Sequence, residues 1–262
     1  MIGIFDSGVG GMTVARAVEQ LCPGFPLVYF GDIARTPYGS KSPETIIRYS
    51  LRNADFLLAQ GCELIIIACN SASSTAADTL RGQYRVPVLD VIEPATARAV
   101  QVSKNGRIGV IGTRATVKSG VYEKRILAMA PESRVFSQPC PLLVPLVEEG
   151  WLNRRETKMI LRKYLHPLRT RQIDTLVLGC THYPLLSPLI GPRIGRRVSM
   201  IDSSIEVARS LNDYLSRHPD LRARLYRPGA ESRFFVSDST EAVQKLAHTI
   251  FGRAITLEKN DV

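Results

Sequence analysis

Two cysteines, Cys69 and Cys180, each end a short apolar run and are followed at once by polar side chains. The first run with its flank reads LIIIACNSA over residues 64–72, and the second reads LVLGCTHYP over residues 176–184. A continuous apolar run of this length, bounded by turn-forming residues, is typical of a buried parallel strand. Because ligands bind beyond the carboxyl ends of such strands in open α/β sheets, both cysteines fall where chemistry is expected.

The residue types near the two cysteines favour proton transfer. Asp6 ends the first apolar run of the chain, and His182 follows Cys180 after one intervening residue. A thiolate is a strong base and nucleophile, and a neighbouring carboxylate or imidazole can accept, donate or orient its proton. If the two thiols face each other across a cleft, one can remove a proton from a carbon centre while the other returns a proton from the opposite face. This arrangement is what two-base racemisation requires.

Alternating strands and helices must position these side chains. A first strand is predicted over residues 1–6, followed by a turn that contains Gly8, Gly10 and Gly11 and then by a helix. A strand, a glycine-rich turn and a helix N-terminus together present backbone N–H groups to an anion. The third position of a GxGxxG fingerprint is Thr13, so a small carboxylate or phosphate is favoured over a dinucleotide.

The remaining elements follow from apolar periodicity and from turn signals. Further strands are predicted at the two cysteine runs and over residues 26–31, 86–92, 107–113, 134–139, 198–202 and 233–237. Further helices are predicted after Ser42 and Arg114 and over residues 73–81, 142–150, 155–165, 204–226 and 241–251. The buried faces of the first two helices are expected to consist of Val14, Ala17, Val18 and Leu21, and of Ile47, Leu51, Ala54 and Leu58.

The pattern restarts near Glu93, and each half reaches its cysteine at the end of its third strand. This weak internal repeat predicts an α/β fold with two similar lobes, each a mostly parallel sheet flanked by helices. The strand over residues 233–237 is expected to return to the sheet of the first lobe. We therefore expect a first lobe of residues 1–92 plus 205–262 and a second lobe of residues 93–204.

Composition and charge restrict the class of protein. The 262-residue chain has 45% hydrophobic and 22% charged residues, which is ordinary for a globular protein with a substantial core. Its 34 Lys and Arg against 24 Asp and Glu give a net charge of +10. The basic residues are scattered over predicted helices, so solvated faces are favoured over a nucleic-acid partner. Since no signal peptide, membrane-spanning stretch or disulfide spacing is visible, a cytoplasmic protein with free thiols is expected.

Six short motifs are distributed along the chain. They are FDSGVGG at residues 5–11, TPYG at 36–39, ACNSA at 68–72, GTRAT at 112–116, PLVEEG at 145–150 and GCTHYP at 179–184. In this order, and without a large insertion, they resemble the glutamate racemases of the aspartate/glutamate racemase superfamily. The resemblance implies two flavodoxin-like lobes with the active site in the cleft between them, and a homodimer. It also implies a cofactor-independent enzyme that interconverts L- and D-glutamate and supplies D-glutamate for peptidoglycan synthesis.

The same resemblance implies roles for individual residues. Cys69 and Cys180 would be the two acid/base groups, with Asp6 assisting Cys69 and with His182 and Glu148 supporting Cys180. The substrate, glutamate, would be held by Asp6, Ser7, Pro37, Tyr38, Gly39, Cys69, Asn70, Ser71, Thr116, Cys180, Thr181 and His182. Neither a cofactor nor a metal ion is expected. The chain departs from the family pattern at Ser71, where threonine is usual; the hydroxyl is kept and a methyl group is lost.

Structural interpretations compete with these roles. Asp6 could simply cap the following helix, Glu148 could be a solvated helix residue, and the glycines of the first turn could serve only turn geometry. His182 could be a hydrogen-bonded structural residue. Surface or capping positions are expected for the other histidines, His166, His218 and His248, and buried apolar positions for the other cysteines, Cys22, Cys62 and Cys140.

Other functions also remain open at this stage. A related racemase for aspartate or hydantoins, or a decarboxylase that keeps one thiol, would share the fold. A zinc enzyme would use Cys69, Cys180 and His182 as ligands, although close ligand spacing is absent. A nucleic-acid binder is suggested by charge alone, and a pyridoxal phosphate enzyme has no lysine in a motif.

Overall fold

A computed structural model describes residues 1–260, which form ten parallel-paired strands in two sheets. The strands are β1 (Ile2–Asp6), β2 (Leu27–Gly31), β3 (Leu64–Ile67), β4 (Val88–Asp90), β5 (Arg107–Gly112), β6 (Arg134–Pro139), β7 (Thr175–Gly179), β8 (Ser199–Asp202), β9 (Arg233–Val236) and β10 (Leu257–Lys259). One sheet has the order β10-β9-β2-β1-β3-β4 and the other the order β6-β5-β7-β8. The predicted α/β class with mostly parallel sheets is confirmed.

Helices connect the strands and cover the sheets. They are α1 (Met12–Leu21), α2 (Pro43–Ala59), α3 (Asn70–Gln83), α4 (Ile92–Val102), α5 (Arg114–Lys118), α6 (Val121–Met129), α7 (Leu143–Glu148), α8 (Arg155–Thr170), α9 (Ser187–Ile194), α10 (Ser203–Arg217), α11 (Pro219–Leu225) and α12 (Glu241–Phe251). Short 3-10 helices lie at Ile33–Arg35, Tyr38–Ser40 and Tyr183–Leu186. Among residues 1–260, no helix combines the length and the apolar character needed to cross a bilayer.

The two sheets repeat one topology. The segment β2-β1-β3-β4 of the first sheet matches the whole second sheet, β6-β5-β7-β8, in order and direction. The third strand of each set, β3 or β7, leads directly to a cysteine. The C-terminal return is also confirmed, because β9 pairs with β2 and β10 extends the same sheet. The division of the chain at residues 92/93 and 204/205 stays a prediction.

Neighbouring residues along the central strands point into different apolar clusters. Ile4 and Ile66 belong to a large cluster that extends to the second sheet, whereas Phe5 and Ile67 belong to a smaller one against α2 and α3. This alternation is the two-residue period of a strand. Because helices cover both faces, both sets of positions are apolar, which is why these strands were visible in the sequence.

Two predicted helix faces were partly wrong. Leu21, at the end of α1, is 43% exposed. On α2 the prediction is confirmed only for Ala54, which is fully buried. The other predicted residues, Ile47, Leu51 and Leu58, are half-buried, and Ile46, Asn53 and Leu57 are buried instead. The polar Asn53 faces inward because its amide donates a hydrogen bond to the Tyr38 hydroxyl, 3.1 Å away.

The helix α4 was not predicted, and one segment that was predicted as a single helix forms two helices, α10 and α11. Glu93 and Pro94 looked like a break, but they stand in the first turn of α4, where proline is tolerated. Asp90 begins this helix by accepting the N–H groups of Ile92 at 2.7 Å and Glu93 at 3.0 Å. The helix predicted over 204–226 is interrupted at His218, and Pro219 opens α11.

Candidate active site

Cys69 lies between β3 and α3 as the N-terminal cap of that helix. Its thiol is 5% exposed, donates to the Ser7 hydroxyl at 3.5 Å, and accepts the N–H of Ala72 at 3.5 Å. Burial and the nearby Asp6 carboxylate raise the pKa of this thiol to about 12, and the bonds to Ser7 and Ala72 oppose the rise only in part. In the free protein at neutral pH, Cys69 is therefore a thiol poised at a helix N-terminus, a position that favours a thiolate when one forms.

Asp6 ends β1 behind this thiol and is fully buried. Its carboxylate accepts the N–H of Gly8 at 3.0 Å and a long hydrogen bond from the Thr181 hydroxyl at 3.5 Å. Burial raises its pKa to about 6, while the charge of His182 and backbone N–H groups limit the rise. The cap of α1 is Gly11 with no side-chain bond, and the N–H group of Gly11 is one of the backbone groups that act on Asp6. A carboxyl that titrates near pH 6 can both hold and release a proton.

Cys180 follows β7 and belongs to a chain of three acid/base groups. Its Sγ lies 3.8 Å from Nδ1 of His182, whose Nε2 lies 3.1 Å from Oε1 of Glu148 at the end of α7. Burial lowers the pKa of His182, but the hydrogen bonds to Cys180 and Glu148 outweigh it and raise the pKa to about 10. An imidazolium beside a sulfur atom favours the thiolate. Glu148, 35% exposed, is thus more than a solvated helix residue.

The two cysteines line one small cavity. Its lining residues are Ser7, Thr36, Pro37, Tyr38, Gly39, Cys69, Asn70, Ser71, Thr113, Val144, Cys180, Thr181 and His182. The volume open to the centre of a water-sized sphere is about 20 Å³, which is room for about one water molecule. Sequence reasoning missed Thr36, Thr113 and Val144. The two threonines lay inside quoted motifs, whereas nothing in the sequence marked Val144.

Hydroxyl groups from both halves of the chain meet at this cavity. Ser71 Oγ lies 2.9 Å from Thr113 Oγ1 and 3.5 Å from Thr116 Oγ1, and the two threonine hydroxyls are 3.1 Å apart. Thr116 is buried and stands behind Thr113, outside the set of lining residues. The cluster joins the start of α3 to the start of α5.

Two predicted binding residues have side-chain oxygen atoms that are already hydrogen-bonded within the protein. The Tyr38 hydroxyl donates to the buried Asp32 carboxylate and accepts from Asn53, so its proton is already used within the protein. The Oδ1 of Asn70 accepts the hydroxyl of Tyr122 at 2.7 Å. The Nδ2 of Asn70 is buried and has no hydrogen-bond partner among residues 1–260, so it is free to donate to a ligand.

Glycines allow the two halves to approach closely at the site. A Cβ on Gly10 would lie 2.5 Å from the His182 ring and 2.6 Å from Thr181 Oγ1, and one on Gly39 would lie 2.6 Å from Thr113. None of the three glycines in the first turn has a positive φ. Turn geometry is therefore not the only requirement at Gly10, which packs closely against His182.

The other cysteines and histidines do not line this cavity. Cys22, Cys62 and Cys140 are buried, as predicted, and burial raises the pKa of each thiol. The remaining histidines, His166, His218 and His248, are exposed. Among the described residues, Cys69, Cys180 and His182 do not form a group that could hold a metal ion, nor do any other three His, Cys, Asp or Glu side chains.

Comparison with known proteins gives this geometry a context. A model of the family described as Asp/Glu/hydantoin racemase matches residues 11–211. A glutamate racemase of Geobacter metallireducens is 45% identical over 254 residues, covering 96% of this chain and 92% of the relative. A solved glutamate racemase isoform of Bacillus anthracis has a TM-score of 0.95 at 35% identity, covering 100% of this chain and 97% of that one. A glutamate racemase of Francisella tularensis, solved in complex with D-glutamate, has a TM-score of 0.90 at 33% identity, covering 99% and 97%.

Proposed function

This chain belongs to the Asp/Glu/hydantoin racemase family and is an amino-acid racemase, and from that premise we propose that it interconverts L- and D-glutamate. Relatives named glutamate racemase, similar over nearly the whole chain, support glutamate as the substrate. The proposed mechanism uses Cys69 and Cys180 as two acid/base groups on opposite faces of the α-carbon.

One observation carries the mechanism: two thiols at equivalent strand ends of two repeated sheets line the same cavity. Each thiol has its own titratable partners, Asp6 for Cys69 and the His182–Glu148 pair for Cys180. A single acid/base group would return a proton to the face from which it came. Two groups on separate elements can work from opposite faces, which inversion of a stereocentre requires.

On the Cys69 side, the proposed base must first lose its proton. Asp6 is the adjacent group that can take it, because its pKa of about 6 lets it exchange protons near neutrality. The substrate's ammonium group would also lower the cost of a thiolate there, since it adds a positive charge to a site that holds a carboxylate. The Cys69 thiolate then removes the α-proton of one enantiomer.

On the Cys180 side, the thiol gives its proton to the opposite face of the carbanion. His182 stabilises the thiolate that remains, because its imidazolium lies 3.8 Å from the sulfur atom. Glu148 orients the ring through Nε2 and offsets its charge. In the reverse direction the two thiols exchange roles, so the other enantiomer is deprotonated by Cys180 and reprotonated by Cys69.

Donor groups around the cavity suit a substrate with two carboxylates and one ammonium. Hydroxyl groups come from Ser7, Ser71 and Thr181, and the unpaired Nδ2 of Asn70 adds an amide donor. We propose that Pro37, Tyr38 and Gly39 contribute backbone groups and that Thr116 acts by holding the hydroxyls of Ser71 and Thr113.

Racemisation in D2O tests the function. We expect L-glutamate to become D-glutamate that carries deuterium at the α-carbon, with no added cofactor. Cys69→Ser and Cys180→Ser should each lower the rate by about 10²- to 10⁴-fold, since each loses one acid/base group. Chiral chromatography with mass spectrometry measures both quantities.

A matched control is Cys22→Ser, which changes another buried thiol whose partner is the Ala208 carbonyl at 3.5 Å. This variant should keep wild-type activity. The mechanism would be excluded by a Cys69→Ser or Cys180→Ser variant of wild-type rate. A preference for aspartate or a hydantoin, or CO2 release, in a substrate panel would assign a different reaction to the same site.

Three further properties are proposed on the resemblance to the family. The D-glutamate would be used in peptidoglycan synthesis, the protein would act in the cytoplasm, and it would form a homodimer. Growth of a D-glutamate auxotroph that carries this chain tests the first, cell fractionation tests the second, and sedimentation velocity tests the third.

A further inference from the structure

The Asn70 side chain is paired at one end and unpaired at the other. Asn70 is 2% exposed and opens α3 at the cavity. Its Oδ1 accepts the Tyr122 hydroxyl at 2.7 Å, whereas its buried Nδ2 has no partner within residues 1–260. A buried donor without a partner is costly, so a negatively charged ligand atom that accepted this N–H would relieve that cost.

Tyr122 determines which end of the amide faces the cavity. Burial raises the pKa of its hydroxyl well above the ordinary range, so the group keeps a proton that must be donated. If the Asn70 amide were reversed, Nδ2 would donate to this hydroxyl and the tyrosine proton would lose its acceptor. The observed bond, with Oδ1 toward Tyr122, therefore turns the amide nitrogen away from Tyr122, on a residue that lines the cavity.

The tyrosine ring itself is held by packing. Tyr122 is 2% exposed on α6, and a Cβ on Gly179 would lie 3.3 Å from its Cε2, which places the ring over the end of β7 beside Cys180. Its hydroxyl donates to Asn70 at the start of α3, which follows β3 of the six-stranded sheet. The bond therefore spans the two halves of the site.

We propose that Tyr122 is a positioning residue that holds the Asn70 amide with its N–H group toward a carboxylate oxygen of the substrate. The inference rests on the proposed glutamate racemase function, and it assigns to Tyr122 an effect on substrate affinity rather than on proton transfer. Within residues 1–260, the hydroxyl of Tyr122 donates to Asn70, whereas the hydrogen-bond partners of the two thiols are Ser7, Ala72 and His182.

The first test is Tyr122→Phe, which keeps the ring and removes the hydroxyl. The Asn70 amide is then free to turn its oxygen toward the substrate carboxylate, so KM should rise about tenfold, as expected for one hydrogen bond to a charged group. The kcat value should stay within about twofold of wild type, because the acid/base groups are unchanged.

Tyr183→Phe is the matched control. Tyr183 is also fully buried beside Cys180, but its hydroxyl donates to the Cys140 carbonyl at 2.9 Å and reaches no binding residue. Its KM should equal that of wild type. If Tyr122→Phe and Tyr183→Phe had the same KM, or if Tyr122→Phe lowered kcat alone, the assignment would be overturned.

A double-mutant cycle separates positioning from general structural support. Once Asn70→Ala has removed the amide, adding Tyr122→Phe should change KM by less than about twofold, because Tyr122 acts through Asn70. Additive effects on KM would contradict the proposal. Thermal unfolding verifies that each variant folds, and Asn70→Ser replaces Asn70→Ala if the latter does not.

A failure of the role assigned to Tyr122 can be distinguished from a failure of the proposed function. A wild-type protein that does not racemise glutamate would overturn that function, whatever Tyr122 does. A wild-type protein that racemises glutamate, with a Tyr122→Phe variant that binds D-glutamate normally in titration calorimetry, would overturn only the role of Tyr122.

Discussion

The two thiols of the site stand in opposite electrostatic surroundings. Burial and, to a smaller extent, the carboxylate of Asp6 raise the pKa of the Cys69 thiol, whereas Cys180 faces the imidazole of His182. In the proposed mechanism the reaction is symmetric in its chemistry, but the groups that assist it are different on the two sides. Each side therefore contributes its own titration to the pH dependence.

We predict a bell-shaped pH profile of kcat/KM. Asp6 acts as a carboxylate, so the rate should fall as the pH drops through about 6 and the group becomes protonated. His182 acts as an imidazolium, so the rate should fall as the pH rises through about 10 and the ring loses its proton. Initial rates between pH 5 and pH 11 measure both limbs.

Single variants identify which group titrates in the acid limb and which in the alkaline limb of the pH profile. Asp6→Asn should lower the rate and remove the acid limb, and His182→Asn should lower the rate and remove the alkaline limb. An acid limb that persisted unchanged in Asp6→Asn would assign that titration to another group.

The contact between Gly10 and His182 gives a second prediction at this scale. A methyl group at Gly10 must displace the His182 ring or the Thr181 hydroxyl, so Gly10→Ala should lower kcat by about 10²-fold. In Gly82→Ala, the new Cβ meets no atom within 4 Å in the last turn of α3, so this control should keep full activity. It should also raise the free energy of unfolding by about 0.5–1 kcal/mol. Wild-type kcat in Gly10→Ala would contradict the packing argument.

The reactive side chains of the site were easier to predict from the sequence than the residues that pack around them. Cys69, Cys180 and His182 stood out because strand ends mark ligand sites and because thiols and imidazoles are rare. Tyr122 and Val144 did not stand out, since each looks like an ordinary residue of an amphipathic helix. Their relation to the site arises only when α6 and α7 pack beside β7, which no local pattern encodes.

At the scale of elements, the strands were the most predictable parts. A parallel strand covered on both faces is apolar at nearly every position, so its limits are sharp in the sequence, as at the fully buried strands β1 and β7. Helix faces were less predictable, because α2 buries Asn53 for a hydrogen bond that lies outside its own periodicity. The start of α4 depended on a side chain before the helix, Asp90, rather than on the apolar pattern within it.

Asp90 provides the prediction for this scale. Besides capping α4, its buried carboxylate accepts a charged hydrogen bond from Arg81 at 2.6 Å. Asp90→Ala should lower the free energy of unfolding by about 2–4 kcal/mol, since it removes the cap and leaves Arg81 without this partner. Asp90→Asn keeps a capping oxygen and should cost less. Urea unfolding compares the two, and equal stability of Asp90→Ala and wild type would contradict this role.

At the scale of the whole molecule, two copies of one topology bring equivalent strand ends together. The strand order β2-β1-β3-β4 is repeated in β6-β5-β7-β8. Because β3 and β7 occupy equivalent positions in the two sheets, the cysteines that follow them line one cavity. The sequence revealed this repeat through spacing alone. It could not reveal the width of the cavity, which depends on how closely Gly10 and Gly39 let the two halves approach.

The width of the cavity has a consequence for binding. About 20 Å³ is open to the centre of a water-sized sphere, and the lining residues come from both halves of the chain, so a ligand in this cavity is enclosed by both. Bound glutamate then touches both halves and should stabilise the fold, by about 2.7 kcal/mol at a concentration of 100 Kd. Thermal unfolding with D-glutamate, and with D-alanine as a control that lacks the second carboxylate, measures this effect. An equal shift with both ligands would contradict recognition of two carboxylates.

The position of the two sulfur atoms relative to the substrate is the most direct test of the mechanism. A crystal structure of the protein with D-glutamate would measure the distance from each Sγ to the α-carbon. We predict that both distances are about 3–4 Å, the separation of reacting groups in a productive complex, and that the sulfur atoms of Cys69 and Cys180 lie on opposite faces of that carbon. Two sulfur atoms on one face, or either of them out of reach of the α-carbon, would contradict the mechanism.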